Sequence, residues 1–396
     1  MQEVAPRLEK STSLILARTK IMTLSLTLPR TGSRDDIREW VHRCSDGPTL
    51  PGGVLFHSPT IAFQAPGGGE IQLVRTGQAL ERLGWRIRLF SPWTDRVDGA
   101  RLVHLFGMSR EGLSLAQACR AHQIPVVLSP ITWFEPAALR ALATSRHEAL
   151  KANFAYAARR LWTRLPSWRR DLLEHCDRVL PNSESEARQL TELFGVPRHK
   201  IAVVPNAVDE RFARCSSTLF HQHHPYREFV LYVGRIEPRK NVLGLVSALA
   251  GTGVSLVVIG DAVPGHEAYA QACRRLGNGF THWLRRLEHD DPLLASAYAA
   301  ARVFVLPSWF ETPGLAALEA AAAGCAVVIT PLGSTRDYFG DLVDYARPDR
   351  PDQIRSAILR ALAHGPKPGL ASLVKNRYHW ADVARKTAEA YHSLER

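Results

Sequence analysis

Two glutamates, Glu311 and Glu319, stand in "SWFETPGLAALEAAAAGCAVVIT" with seven residues between them. A carboxylate accepts hydrogen bonds from groups such as sugar hydroxyls, so an isolated one on an apolar helix suggests a ligand. The residues three and four positions from Glu319 are Leu315, Ala316, Ala322 and Ala323, so no Lys or Arg of the same helix can pair with it. Burying such a charge unpaired costs on the order of several kcal/mol, and its donors must come from elsewhere. Thr312 is suited to the N-cap, Pro313 to the first helical position and Gly324 to a left-handed stop, which predicts a helix over 313–323. The Gly314 and Leu315 amides would then lack an intrahelical acceptor and, with the helix dipole, favour an anion such as phosphate. Glu319 would lie ~9 Å from the helix start at ~1.5 Å per residue, matching a ligand with phosphate at the helix end and hydroxyls further along. The competing reading is that Thr312 caps these amides and nothing binds.

Arg235 and Lys240, in "LYVGRIEPRKN", follow a strand-like run, and a basic loop there could meet an anionic ligand. An exposed basic loop beside Arg239 is the plainer alternative. Gly67, Gly68 and Gly69, in "PGGGE", read as a loop whose backbone can approach a ligand closely, with Glu70 opening the next helix; a flexible turn would also fit. The dinucleotide pattern G-x-G-x-x-G is absent there. His221, His223 and His224 in "FHQHHPY" read as a solvated loop, and neither a metal nor another cofactor is expected.

Strand-like and helix-like runs alternate along the chain: "GVLFHSP", "EIQLVRTGQALERLG", "ARLVHLFG" and "IPVVLSP", then "EFVLYVG", "SLVVIGD", "RVFVLPS" and "CAVVIT". Such alternation predicts α/β architecture, here two doubly wound Rossmann-like domains with ligands at the carboxyl ends of the strands facing a central cleft. The expected divisions are a loosely ordered extension over 1–50, an N-terminal acceptor domain over 51–203, a C-terminal donor domain over 204–378, and a closing helix over 379–396 packing back across the junction.

The 396 residues carry 50 Lys and Arg against 38 Asp and Glu, so an anionic partner is expected: phosphorylated metabolite, nucleic acid or acidic lipid. No nucleic-acid module is recognisable, which argues against that partner. Six scattered cysteines without a C-x-x-C pair fit a reducing cytoplasm, and no apolar run is long enough for a membrane span. Between Arg140 and Arg170 eight basic residues face one acidic residue, Glu148, interleaved with Phe154, Tyr156, Trp162 and Trp168. This suits a surface docking on the anionic inner face of a membrane; inward-packed aromatics under a charged helix face fit equally.

The E-x7-E spacing of Glu311 and Glu319 on a strand-loop-helix-strand segment resembles the signature of retaining glycosyltransferase family 4, which has the GT-B fold. "LYVGRIEPRKN", "PNSESEARQLTELFGVPRHKIAVVPNAVD", "GSTRDYFGD" and "PGGGE" are similar to further segments of that family, over roughly residues 54–395. The resemblance implies transfer of a sugar from a nucleotide diphosphate-sugar donor to a glycan or lipid-linked acceptor with retained configuration. It places Glu311 at the donor sugar, Glu319 at the ribose hydroxyls, Arg235 and Lys240 at the diphosphate, and Gly68, Gly69, Thr312, Gly314 and Leu315 around the donor. Two departures stand out. Glu311-Thr312-Pro313-Gly314 replaces a common E-G-F-G, and Ser129 to Thr132 replace a region that commonly carries a histidine, leaving His104 and Glu135 as candidate substitutes. A nucleotide-sugar epimerase of the same fold and an inactive glycan-binding relative are the alternatives.

Overall fold

The computed structural model describes residues 36–46, 51–59, 62–64 and 66–395. Two wholly parallel sheets organise them. The first holds β1 (Val54–His57), β2 (Ile87–Leu89), β3 (Leu102–Phe106), β4 (Val126–Ser129) and β5 (Arg178–Val179) in the order β2-β1-β3-β4-β5. The second holds β6 (Phe229–Val233), β7 (Ser255–Ile259), β8 (Thr281–Leu284), β9 (Val303–Leu306), β10 (Ala326–Ile329) and β11 (Asp344–Tyr345) in the order β11-β10-β9-β6-β7-β8. The strand cores are Val, Leu, Ile and Phe with few polar breaks, because helices cover both faces and leave no solvated side to alternate toward.

In each sheet the order reverses beside the first strand of its set, β1 in one and β6 in the other. Chains leaving neighbouring strands there diverge to opposite faces and open a crevice at the carboxyl ends. The loops after β6 and β9 carry Arg235, Lys240 and Glu311, so the second sheet delivers three candidate residues to one crevice.

The expectation of loose order over 1–50 fails at Ile37–Asp46, which is a helix. Its Trp40 is buried against Gly77, where a methyl group would lie 2.3 Å from the indole. Trp40 Nε1 also donates to Glu81 at 2.9 Å. Amphipathic spacing over only ten residues, with tertiary packing supplying the stability, explains why the local sequence reads weakly. The rest of that expectation, 1–35 and 47–50, lies outside the described residues. At the other end, the helix Trp380–His392 packs against the helix Gly68–Arg82 of the first sheet.

Polar side chains tie the two sheets together. Gln72 Nε2 donates to Asn182 Oδ1 at 3.0 Å, and Asn206 Nδ2 donates to Gln72 Oε1 at 3.0 Å. Ser185 donates through both its amide and its hydroxyl to Asp337, each at 2.8 Å. Buried amide side chains with several partners hold a defined geometry because leaving any one unpaired is costly.

Candidate active site

The expected helix start is displaced. The helix runs Leu315–Ala322, its N-cap is Gly314 with φ +88°, and Thr312 makes no capping hydrogen bond. Tertiary pairing overrides the local signal: the Glu311 amide donates to Leu332 O at 3.2 Å and Glu311 O accepts from the Ser334 amide at 2.9 Å. This pairing holds the chain extended at Glu311, and Gly314 then turns it into the helix through a conformation that disfavours any residue with a Cβ. Gly324, with φ +94°, ends the segment as expected of a left-handed terminator. The unpaired first-turn amides are therefore those of Leu315 and Ala316, one residue later than the sequence suggests.

The glycine triplet is corrected in the same way. Gly68 and Gly69 are not loop residues but the first turn of the helix Gly68–Arg82, because Glu70 Oε2 folds back to accept the Gly67 amide at 2.6 Å. Two helix N-termini thus converge. A methyl group on Gly67 would lie 3.5 Å from the Arg235 guanidinium carbon, and one on Gly68 would lie 3.6 Å from Leu315 Cδ1. The first sheet's glycines touch the second sheet's basic loop and helix start across the crevice.

Between them lies a cavity of about 470 Å³ lined by Gly67, Gly68, Gly69, Arg235, Arg239, Lys240, Glu311, Thr312, Gly314, Leu315, Ala316 and Glu319 among others. Every residue that the resemblance assigns to the donor site borders it. Two helix N-termini and the cations Arg235, Arg239 and Lys240 border it, together with the carboxylates of Glu311 and Glu319.

Lys240 Nζ donates to Glu311 Oε1 at 2.6 Å; Glu311 is buried and Lys240 is part-buried at the cavity wall. Burial opposes the Glu311 carboxylate, yet Lys240 and Arg239 outweigh it and hold its pKa below the ordinary glutamate value. Asn241 fixes this loop by donating to Pro307 O at 3.2 Å and Pro348 O at 2.8 Å.

Glu319 has protein donors after all. Its Oε1 pairs with His289 Nε2 at 2.8 Å, and its Oε2 accepts from Tyr298 OH at 2.9 Å. Burial opposes its charge, but His289 and Tyr298 prevail and keep the pKa below normal. Each carboxylate oxygen can accept further bonds, so a hydroxyl in the cavity still finds an acceptor. His289 and Tyr298 escaped the sequence reading. His289 follows β8, and its one signal is a position past the carboxyl end of a parallel strand; Tyr298 sits inside an apolar helix and carries none. Behind them Arg211 Nη2 lies 2.9 Å from His289 Nδ1, and Arg75 of the first sheet pairs with Asp209 at 3.0 Å.

Neither candidate substitute for a histidine reaches the cavity lining. His104 is fully buried between Tyr391 OH at 2.6 Å and Ser129 Oγ at 2.9 Å, and desolvation pulls its pKa down to about 3. Glu135 caps the helix Pro136–Ala141. The residue of that region lining the cavity is Ile131, with φ +46°.

Among the described residues no group of three or more His, Cys, Asp or Glu is arranged to hold a metal, and no helix is long and apolar enough to cross a membrane.

Residues 227–364 match the family model "Glycosyl transferases group 1", and residues 66–212 match "Glycosyltransferase Family 4". The two parallel α/β domains are those of the GT-B fold. Sucrose-phosphate synthase from Thermosynechococcus elongatus superposes with a TM-score of 0.68 at 18% identity, over 87% of this chain and 99% of that one. HepE of Anabaena, solved with UDP and glucose, gives 0.64 at 17% identity, over 86% and 100%. In sequence, O-antigen chain mannosyltransferase B of Escherichia coli is 28% identical over 56% of this chain and 62% of its own length. A D-inositol 3-phosphate glycosyltransferase of Segniliparus rotundus is 29% identical over 57% and 54%. The matched region thus spans little more than half of these curated relatives.

Proposed function

We propose that the protein is a retaining glycosyltransferase of family 4 that moves a hexosyl group from a nucleoside diphosphate-sugar to a glycan or lipid-linked acceptor. The observation that carries this reading is the convergence of Arg235, Lys240 and two helix N-termini on one cavity that also holds Glu311 and Glu319. Such a site suits a diphosphate in the middle, a ribose at Glu319 and a sugar at Glu311.

Breaking the bond from anomeric carbon to phosphate oxygen places growing negative charge on the leaving diphosphate. Fixed cations and amides there favour the transition state over the ground state, because they need no reorganisation as the charge appears. Lys240 is held beside Glu311 at the junction of sugar and phosphate, so the carboxylate orients the ammonium while contacting the sugar. The acceptor hydroxyl attacks from the face the diphosphate leaves, and its proton passes to the departing phosphate oxygen. The configuration is retained without a protein nucleophile, consistent with the apolar Ile131 in the region where a histidine is common.

Proton NMR of the product of a donor and acceptor panel tests this. Retained anomeric configuration with release of nucleoside diphosphate is expected. Inverted product rejects the retaining mechanism, and free sugar from donor alone points to an epimerase.

A further inference from the structure

We propose that the exposed face of the helix Arg146–Leu161 is a docking surface for an anionic lipid bilayer. None of its residues is buried, although it packs against the helices Pro136–Ala141 and Glu184–Phe194. Leu150 is 71% exposed, Phe154 77% and Leu161 90%, and Trp162, just beyond the helix, is 58% exposed. At about 3.6 residues per turn, Leu150, Phe154 and Leu161 fall within roughly 40° of one another. Arg146 and Arg160 flank this stripe on one side and Lys151 on the other, while Glu148 points away and is held by Thr144 at 2.6 Å.

The aromatics of the region divide accordingly. Tyr156 and Trp168 pack against the core, and Arg159 stacks over Phe194 at 5.0 Å, so these serve the fold. Phe154 and Trp162 face outward. Isolated exposed apolar residues are ordinary, but an aligned stripe bordered by cations on both sides matches a helix lying in the plane of a membrane interface. Acyl chains would receive Leu150, Phe154 and Leu161, and anionic headgroups would meet Arg146, Lys151 and Arg160. The charge complementarity selects lipid over a second copy of this chain, whose equivalent face carries the same positive charge.

Flotation of the full chain with vesicles of phosphatidylcholine, with and without phosphatidylglycerol, tests the proposal independently of sugar transfer. Wild type should float with the anionic vesicles and be released by salt. The pair Phe154→Ser/Leu161→Ser and the triple Arg146→Ala/Lys151→Ala/Arg160→Ala should each lower binding by about tenfold or more, with nucleotide affinity unchanged. Failure of wild type to float, equal binding to neutral vesicles, or wild-type-like binding by both variants overturns it. So does a dimer that does not bind vesicles and that Phe154→Ser/Leu161→Ser dissociates, since the face would then belong to a second copy.

Discussion

Lys240 Nζ and Glu311 Oε1 are 2.6 Å apart in a largely buried pair that joins the loop after β6 to the loop after β9. Removing one member leaves the other's charge uncompensated at the poorly solvated cavity wall. Lys240→Met should destabilise the fold by roughly 3–5 kcal/mol, whereas Lys240→Met/Glu311→Gln should recover most of that loss. Urea unfolding of the two single variants and the double variant measures this coupling. Additive losses would show that the pair is not coupled.

Glu319 and Glu311 should fail differently. Glu319→Ala removes the acceptor for both His289 and Tyr298 and should weaken nucleoside diphosphate binding by about tenfold or more. Glu311→Ala should leave that affinity closer to wild type and mainly slow transfer. Calorimetry alongside steady-state kinetics separates the two; wild-type-like behaviour in both would defeat the assignment.

Gly333 lies beneath the Glu311 backbone, where a methyl group would stand 2.0 Å from Glu311 O, and its φ is +105°. Gly333→Ala must displace Glu311 and adopt a conformation costing about 1–2 kcal/mol. Transfer should drop at least about tenfold in the folded variant, since an ångström of misplacement suffices. Kinetics on protein whose folding is verified by circular dichroism would check it; full activity would contradict the placement of Glu311.

Glu186 gives the fold a pH dependence. Burial pushes its carboxyl up to about 7, against the opposing hydrogen bonds from the Thr132 and Asn182 amides. A folded pKa above the unfolded one means the contribution to stability is complete below about pH 4.3 and is lost as pH rises through about 7. Stability of wild type relative to Glu186→Gln should therefore fall across that window, by on the order of 3 kcal/mol. Unfolding free energies at a series of pH values measure it, and parallel pH profiles for the two proteins would refute it.

The strands and the E-x7-E pair were legible because both depend on short-range pattern: apolar runs between turn residues, and a carboxylate lacking any partner on its own helix. The start of the Leu315–Ala322 helix was not legible, since Thr312 and Pro313 carry strong local signals that the long-range pairing of Glu311 with Leu332 and Ser334 overrides. Glycine has no helix preference to advertise, so the sequence carries no signal for the opening turn at Gly68 and Gly69, which Glu70 fixes by closing on Gly67. His289, Tyr298 and the Gln72-Asn182-Asn206 ties join residues far apart in sequence, and single-chain spacing holds no trace of such contacts.

The central claim is that the cavity between the sheets binds a nucleoside diphosphate through Lys240 and Glu319. Calorimetric titration of UDP, GDP and ADP into wild type, Lys240→Ala and Glu319→Ala tests it most directly. At least one nucleotide should bind wild type, and each variant should lose about tenfold or more in affinity for it. Absence of binding by all three nucleotides, or affinity indifferent to both substitutions, would contradict the account.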